Sequence, residues 1–92
     1  MSQLSVYKYT LVPGTMSITI PSSAKIISAI AQGPNLVVYA LCDVVDKSTR
    51  EVEYLALGTG HWINEDDLKG FNLLNTVLMD NGLVFHIFIK DL

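Results

Sequence analysis

The stretch NLLNTVLMDNGLVFHIFIK, residues 72–90, decides the fold, because it holds two strand-like runs joined by a hairpin signal. The runs NLLNTVLM (72–79) and LVFHIFIK (83–90) are rich in β-branched and aromatic residues. Asp80-Asn81-Gly82 between them has the composition of a tight turn. The stretch therefore predicts an antiparallel β-hairpin.

The register of this hairpin follows from which side chains it would bury. A two-residue loop would pair Val77 with His86, whereas a three-residue loop with Gly82 in a left-handed bulge would pair Val77 with Phe85. The second register collects apolar residues on one face, namely Met79, Val77, Leu83, Phe85, Ile87 and Ile89. It also places Thr76 across from His86, within hydrogen-bonding reach. We therefore predict the three-residue loop.

Further strand-like runs precede the hairpin. They are SVYKYTL (5–11), MSITI (16–20), AKIISAIAQ (24–32), LVVYALCD (36–43) and EVEYLAL (51–57). Turn signals at Val12-Pro13-Gly14, at 21–23 and at 33–35 separate the first four. The run at 24–32 also contains helix-favouring residues, but its three isoleucines and the following Gly-Pro favour a strand.

These runs predict one all-β, mainly antiparallel domain over residues 1–92. About seven short strands would form a small β-sandwich or partly open barrel. At most one short helical turn is expected, over residues 64–69, with Asn64 as its cap and Gly70 at its end.

Composition narrows the possible partners. Half of the residues are hydrophobic and only 16% are charged, whereas roughly 25% is usual. So little charge predicts that another copy covers part of the surface, giving a homo-oligomer. With six basic residues, nine acidic residues and no basic run, the chain is not expected to bind nucleic acid generally.

Location and redox state are predicted from equally simple features. The lone Cys42 lies within a strand-like run, which predicts a buried thiol and excludes an intrachain disulfide. The N-terminus lacks a secretory pattern, and no apolar run approaches the roughly 20 residues of a spanning helix. We expect a soluble intracellular protein without membrane attachment.

The segment Gly58-Thr59-Gly60-His61-Trp62 is the candidate site. Two glycines allow a close backbone approach, and consecutive amides could form an anion nest. The alternative is a structural turn or bulged strand end in which His61 bonds to a neighbouring carbonyl. Trp62 is either an exposed stacking or docking surface or a cap on the core.

Catalysis has less support in the sequence. The histidines, His61 and His86, have no partners at metal-ligand spacing, and the acidic run Glu65-Asp66-Asp67 does not supply them. A nucleophile triad would need a serine or cysteine on a sharp turn, and Cys42 lies in the middle of a predicted strand. We therefore predict a protein that is not an enzyme and that uses neither a metal nor a cofactor.

Several short motifs together resemble one family. They are Tyr7-Lys8-Tyr9, Pro21, Ala24-Lys25-Ile26, Tyr39-Ala40-Leu41 with Asp43, Gly58-Thr59-Gly60-His61, Thr76-Val77 and Val84-Phe85-His86-Ile87-Phe88. This order resembles a family of small phage-encoded proteins of unknown function. The chain departs from it at Tyr39, where we expect Trp, and in a longer stretch from Trp62 to Phe71.

The resemblance implies an accessory role in infection. By analogy with small oligomeric phage proteins, we expect an anti-defence protein that sequesters a cyclic nucleotide or ADP-ribose derivative without cleaving it. Expected contacts are amides of Gly58, Thr59 and Gly60, donors from His61 and Lys25, stacking by Trp62, Tyr7 or Tyr39, and His86 beside them. The alternatives are a module that inhibits a host factor through Trp62 and an open strand edge, and a minor virion or assembly protein.

Overall fold

The computed structural model describes residues 3–11 and 16–91, so the predicted turn at 12–14 lies outside the described residues. The elements are β1 (Leu4–Leu11), β2 (Ser17–Pro21), β3 (Lys25–Gln32), β4 (Asn35–Asp43), β5 (Thr49–Gly58), α1 (Glu65–Leu68), β6 (Asn72–Leu78) and β7 (Val84–Asp91). All seven strands coincide with runs read from the sequence.

The strands form two antiparallel sheets. One has three strands in the order β1-β4-β3, and the other has four in the order β2-β5-β7-β6. Their apolar inner faces meet, with Val38 of the first sheet and Ile87 of the second in one buried cluster. The predicted all-β class, with one short helix, is confirmed.

The hairpin register decides which side of β7 is buried. Val77 pairs with Phe85, the Met79 amide donates to the Leu83 carbonyl at 2.8 Å, and Gly82 has φ +87°. This is the predicted three-residue loop. Ile87 is fully buried while His86 lies on the opposite side, so we call the His86 side the outer face of the four-stranded sheet.

β4 is buried because it is the central strand of the three-stranded sheet. Val37, Val38 and Ala40 are at most 1% exposed, although successive residues point to opposite faces. Cys42 is completely buried. Its thiol lies 3.9 Å from the Tyr9 hydroxyl, and burial, reinforced by this contact, raises the pKa of Tyr9.

A side chain joins the two sheets along one edge. Asn75 accepts a hydrogen bond from the Ala29 amide at 2.8 Å and donates to the Ala29 carbonyl at 2.7 Å. Its amide group thus occupies the place of a peptide unit between β3 and β6. Register shifts lie beside both partners, between Ile26 and Ser28 and between Leu73 and Asn75. β1 and β2, the other outermost strands, do not pair among the described residues.

The opposite end of the sandwich is held by Arg50. Its guanidinium donates to both carboxylate oxygens of Asp91, at 2.8 and 2.6 Å. It also donates to the carbonyl of Pro21 at 3.2 Å, to that of Ala24 at 2.9 Å, and to that of Ser22. All five N–H groups that arginine offers are therefore used, and they connect β5 to β7 and to the turn before β3.

A neighbouring loop is organised by one carboxylate. Asp46 accepts the hydroxyl of Ser23 at 2.8 Å and that of Ser48 at 2.7 Å, and both backbone amides at 3.0 Å. These bonds hold the pKa of Asp46 well below its usual range. The β4–β5 loop is thereby fixed to the β2–β3 turn.

The predicted helical turn is present as α1. Asn64 occupies the N-cap position but makes no side-chain capping hydrogen bond, so the predicted capping by its side chain is wrong. Gly70 follows with φ +82°, as expected of a residue that ends a helical turn. No helix in the described residues is long and apolar enough to cross a membrane.

Candidate functional site

Residues 58–61 form a hydrogen-bonded β-turn. The His61 amide donates to the Gly58 carbonyl at 3.0 Å, and Gly60 has φ +87° at the third position, as a type II turn requires. The Thr59 amide donates to the Val84 carbonyl at 3.2 Å. The Thr59 amide, one of the three expected to contact a phosphate, is therefore engaged within the protein, as is the amide of His61.

The imidazole of His61 lies against the backbone of Gly58. A Cβ atom at Gly58 would lie 2.7 Å from Cε1 and 2.8 Å from Nδ1 of His61. Only glycine leaves room for the ring in this position. The first glycine of the segment is thus explained by a close approach, and Gly60 by its backbone conformation.

Replacing Gly58 with Ala should displace the His61 ring while leaving the fold intact. The ring is exposed and can rotate away, and the lower entropy of the unfolded alanine chain offsets part of the strain. We expect a change in unfolding free energy within about 0.5 kcal/mol. NMR spectra should show altered His61 ring resonances and unaltered His86 resonances.

The control for this substitution is the same change in a His61→Ala background. There the added methyl group meets no ring, so the surrounding resonances should stay in place. A stability loss of about 2 kcal/mol or more in the His61→Ala background would contradict this account, because it would place the obstruction in the backbone.

His86 is held between two threonine hydroxyls. Thr76 Oγ1 lies 3.0 Å from Nδ1, and Thr59 Oγ1 lies 2.8 Å from Nε2. The Thr76 contact is the one predicted from the hairpin register, and the Thr59 contact was missed. A neutral imidazole satisfies both by donating through one nitrogen and accepting through the other.

The two histidines lie on different sides of the sheet. Gly58 pairs with Phe85, whereas Leu57 pairs with His86, and paired residues in an antiparallel sheet share a face. The His61 ring occupies the position of a Gly58 side chain and is therefore on the Phe85 side. His86 is on the outer face, so the two imidazoles do not converge on one atom.

Trp62 follows the turn and is 98% exposed. The interpretation of this indole as a cap on the core is therefore wrong. An aromatic side chain of about 150–250 Å² in water is available for stacking or for docking. Its position directly after His61 places it at the end of the four-stranded sheet.

The remaining predicted contacts lie elsewhere in the protomer. Lys25 follows Ala24, whose carbonyl binds Arg50, and Gly58 lies eight residues farther along β5, a distance of about 26 Å. Tyr39 is on the outer side of the three-stranded sheet, opposite Lys8. Tyr7 is 42% exposed on β1. One protomer therefore does not bring these residues to the turn.

A groove lies near the base of the four-stranded sheet, beside α1. It has a volume of about 690 Å³. Its lining includes Leu55, Ile63 and Phe71, and its charged residues are Glu51, Glu53, Asp66, Asp67, Lys69 and Lys90. The sequence pattern alone does not reveal this groove, although the alternation in EVEYLAL places Glu51 and Glu53 on one side. Carboxylates outnumber ammonium groups, which disfavours a phosphate there.

No group of three or more His, Cys, Asp or Glu side chains in the described residues is arranged to hold a metal ion. The candidate site consists of the exposed indole of Trp62, the turn that bears the His61 imidazole, and the row of Thr59, His86 and Thr76 on the outer face. These groups can stack and exchange hydrogen bonds.

The family assignment comes from comparison with known proteins. Residues 2–92 match the model of a domain of unknown function, DUF7352. The chain belongs to this family. The DUF7352 match covers nearly the whole sequence and agrees with the expected membership in a family without an assigned function. No curated protein and no solved structure shows a significant similarity to the chain.

Proposed function

We propose that this DUF7352 protein is a non-enzymatic binding protein that sequesters a nucleotide-derived signal during phage infection, acting as a homo-oligomer in the host cytoplasm. The observation that supports it most is Trp62, which is 98% exposed beside a turn that holds His61 and Thr59. An indole in water contributes nothing to the core, whereas base stacking is worth about 1–3 kcal/mol per base.

Each group near the turn has a place in this proposal. Trp62 stacks on the base, and the exposed imidazole of His61 binds a phosphate or ribose oxygen. The Thr59 hydroxyl, fixed at 2.8 Å from His86, presents its remaining hydrogen-bonding capacity. Because the amides of Thr59 and His61 are engaged, the phosphate needs a cation from outside the turn.

A second copy supplies that cation in the proposed oligomer. Lys25 is too far from Trp62 within one protomer, so it contributes only across an interface. Tyr39 lies on the same side of the three-stranded sheet as Lys25. Lys25 pairs with Leu41, which is two residues from Tyr39 on β4 and therefore shares its face. The proposal therefore requires association before binding, and the ligand is held between protomers.

A second candidate is a protein-binding module that inhibits a host factor. The acidic charge of the groove favours it, because carboxylates at Glu51, Glu53 and Asp67 repel phosphate but attract a basic protein surface. An exposed tryptophan is also a common anchor of protein interfaces. This candidate predicts no binding of small nucleotides at all.

Thermal melting with cyclic dinucleotides, cyclic ADP-ribose and ADP-ribose distinguishes the two. A ligand at 100 times its dissociation constant adds about 2.7 kcal/mol of stability, which raises the Tm of so small a domain by about 10 °C or more. We expect one compound to do so in the wild type. Trp62→Ala should bind it about 5- to 150-fold more weakly.

The matched variant is Trp62→Phe, which retains an aromatic face and should retain part of the affinity. Both variants should fold like the wild type without ligand, because the indole packs against almost nothing within one protomer. The bound compound should be recovered intact after denaturation. A cleaved product would indicate an enzyme, and the absence of any Tm shift across the panel would exclude the proposal.

A further inference from the structure

We infer that the outer face of the four-stranded sheet is the surface through which two copies of this chain associate. The inference rests on the homo-oligomer of the proposed function and is independent of its ligand. This contact leaves the Lys25 face of each copy uncovered, so a cation from Lys25 requires a further contact between such dimers. The face is built by β5, β7 and β6 near the Gly58 turn. Its apolar side chains are Leu55, Leu57, Leu73, Leu78, Val84 and Phe88.

This face exposes apolar side chains that the protomer does not cover. Leu73 is 58% exposed and Leu78 is 68% exposed. Directly opposite them on β7 are Phe88 and Val84, so they extend one continuous apolar surface. Exposed apolar patches of this kind mark association sites.

The imidazole within the face is satisfied by its neighbours. Thr59, His86 and Thr76 form a row in which both imidazole nitrogens have a partner, at 2.8 and 3.0 Å. Covering the row with another apolar surface therefore leaves neither ring nitrogen without a hydrogen bond. A polar group that needed water at this position would oppose burial.

The part of the face nearer the Gly58 turn has no charged side chain on β5, β7 or β6, which favours a second copy as the partner. Charges begin at the Leu55 end, where the Glu53–Lys90 pair follows on the strands and where Asp66, Asp67 and Lys69 line a groove with Leu55. Each copy carries a net charge of −3, so contact through a charged surface would place like charges together. In a two-fold dimer the same patch meets itself, and an uncharged patch does so without repulsion.

The outer face of the three-stranded sheet is a poorer candidate. It also exposes apolar residues, among them Leu4 and Val6. However, Lys25 lies beside Leu41 in this face, and Lys8 crosses it to bind Gln32 at 2.8 Å. Two copies meeting here would bring ammonium groups together.

The size of the patch suits a small dimer. Three strands about 4.8 Å apart, over five residues of about 3.3 Å each, cover on the order of 250 Å² in projection. Trp62 at its end adds up to about 250 Å². Two copies would thus bury about 1,000 Å², the lower bound for a specific interface.

The test is the mass of the full chain in solution, measured by light scattering during gel filtration. We expect the wild type to be a dimer or a higher multiple of one. The double variant Leu73→Glu, Leu78→Glu should be a folded monomer, with a dissociation constant raised about a hundredfold or more by carboxylates in an apolar interface. The matched control is Leu4→Glu, Val6→Glu, which alters equally exposed residues on the other sheet and should stay associated.

Circular dichroism shows whether the variants are folded. Should the double glutamate variant unfold, Leu73→Gln, Leu78→Gln provides a milder change, again with dissociation expected. A spin label on Leu78→Cys should be immobilised in the dimer, whereas one on Leu4→Cys should stay mobile. A monomeric wild type, or dissociation of the control variant only, would overturn the inference.

The ligand test remains separate. An associated wild type that binds no nucleotide leaves this interface standing and removes the sequestration proposal. A monomeric wild type that binds a nucleotide through Trp62 removes this interface and the shared ligand site, and leaves sequestration by a single protomer. The two failures are thus distinguishable in the same set of proteins.

Discussion

Replacing Asn75 with Ala is expected to lower the free energy of unfolding by about 2–4 kcal/mol. Asn75 satisfies both the N–H and the C=O of Ala29, at 2.8 and 2.7 Å. Ala29 is 1% exposed, so water cannot easily replace the lost side chain. Two buried backbone groups without partners carry a penalty of roughly 1–3 kcal/mol each. Urea denaturation followed by circular dichroism measures the loss.

Two further variants test whether the loss of stability comes from the hydrogen bonds of Asn75. Asn72→Ala alters an exposed asparagine of the same strand and should change stability by no more than about 0.5 kcal/mol. Asn75→Asp keeps the shape but cannot donate to the Ala29 carbonyl when ionised, so it should be at least as destabilising as Asn75→Ala. Equal stability of Asn75→Ala and Asn72→Ala would show that the side-chain bridge contributes nothing.

Replacing Arg50 with Met should be comparably destabilising, by about 2–4 kcal/mol. Methionine retains an apolar stem but leaves Asp91 and the carbonyls of Pro21, Ser22 and Ala24 without their donor. The side chain of Arg50 is 21% exposed and that of Asp91 is 50% exposed, so solvent screens the ion pair in part, and the loss of the donor to the three carbonyls accounts for most of the effect. Lys69→Met is the control, because its ion pair with Asp66 is 74% and 86% exposed and should contribute less than about 1 kcal/mol.

Acid titration adds a second readout for Arg50. Hydrogen bonds from Arg50 hold the pKa of Asp91 below its ordinary value, so the folded state binds this proton more weakly than the unfolded state. The ion pair therefore stabilises the folded state fully above about pH 4, and this stabilisation is lost as the pH falls through the lowered pKa of Asp91. The difference in stability between the wild type and Arg50→Met should shrink in that range. A difference that grows on acidification would contradict the assigned pairing.

The sequence predicts the strands of this fold well because their patterns are local. The hairpin register followed from the alternation of apolar residues around Gly82, and it fixed the contact between Thr76 and His86. The ambiguous run at 24–32 is a strand, as its isoleucines indicated. These signals lie within a few residues of one another and need no knowledge of the other sheet.

Contacts between segments far apart in the sequence cannot be predicted from such local patterns. The bridge from Asn75 to Ala29 depends on register shifts in two strands, and the periodicity of the sequence does not predict these shifts. The contact between Thr59 and His86 depends on the type of turn after Gly58. Lys25 was placed near that turn because its charge suited a phosphate, yet strand direction puts it at the Arg50 end. Topology, which the sequence pattern leaves open, decides such distances.

The exposure of Trp62 has a practical consequence. It is the only tryptophan in the chain, so the indole fluorescence of the unmodified protein arises at this one position. Free protomers should emit at the long wavelengths of a fully hydrated indole. Any event that covers the residue should shift that emission to shorter wavelengths or quench it, giving an optical titration without a label.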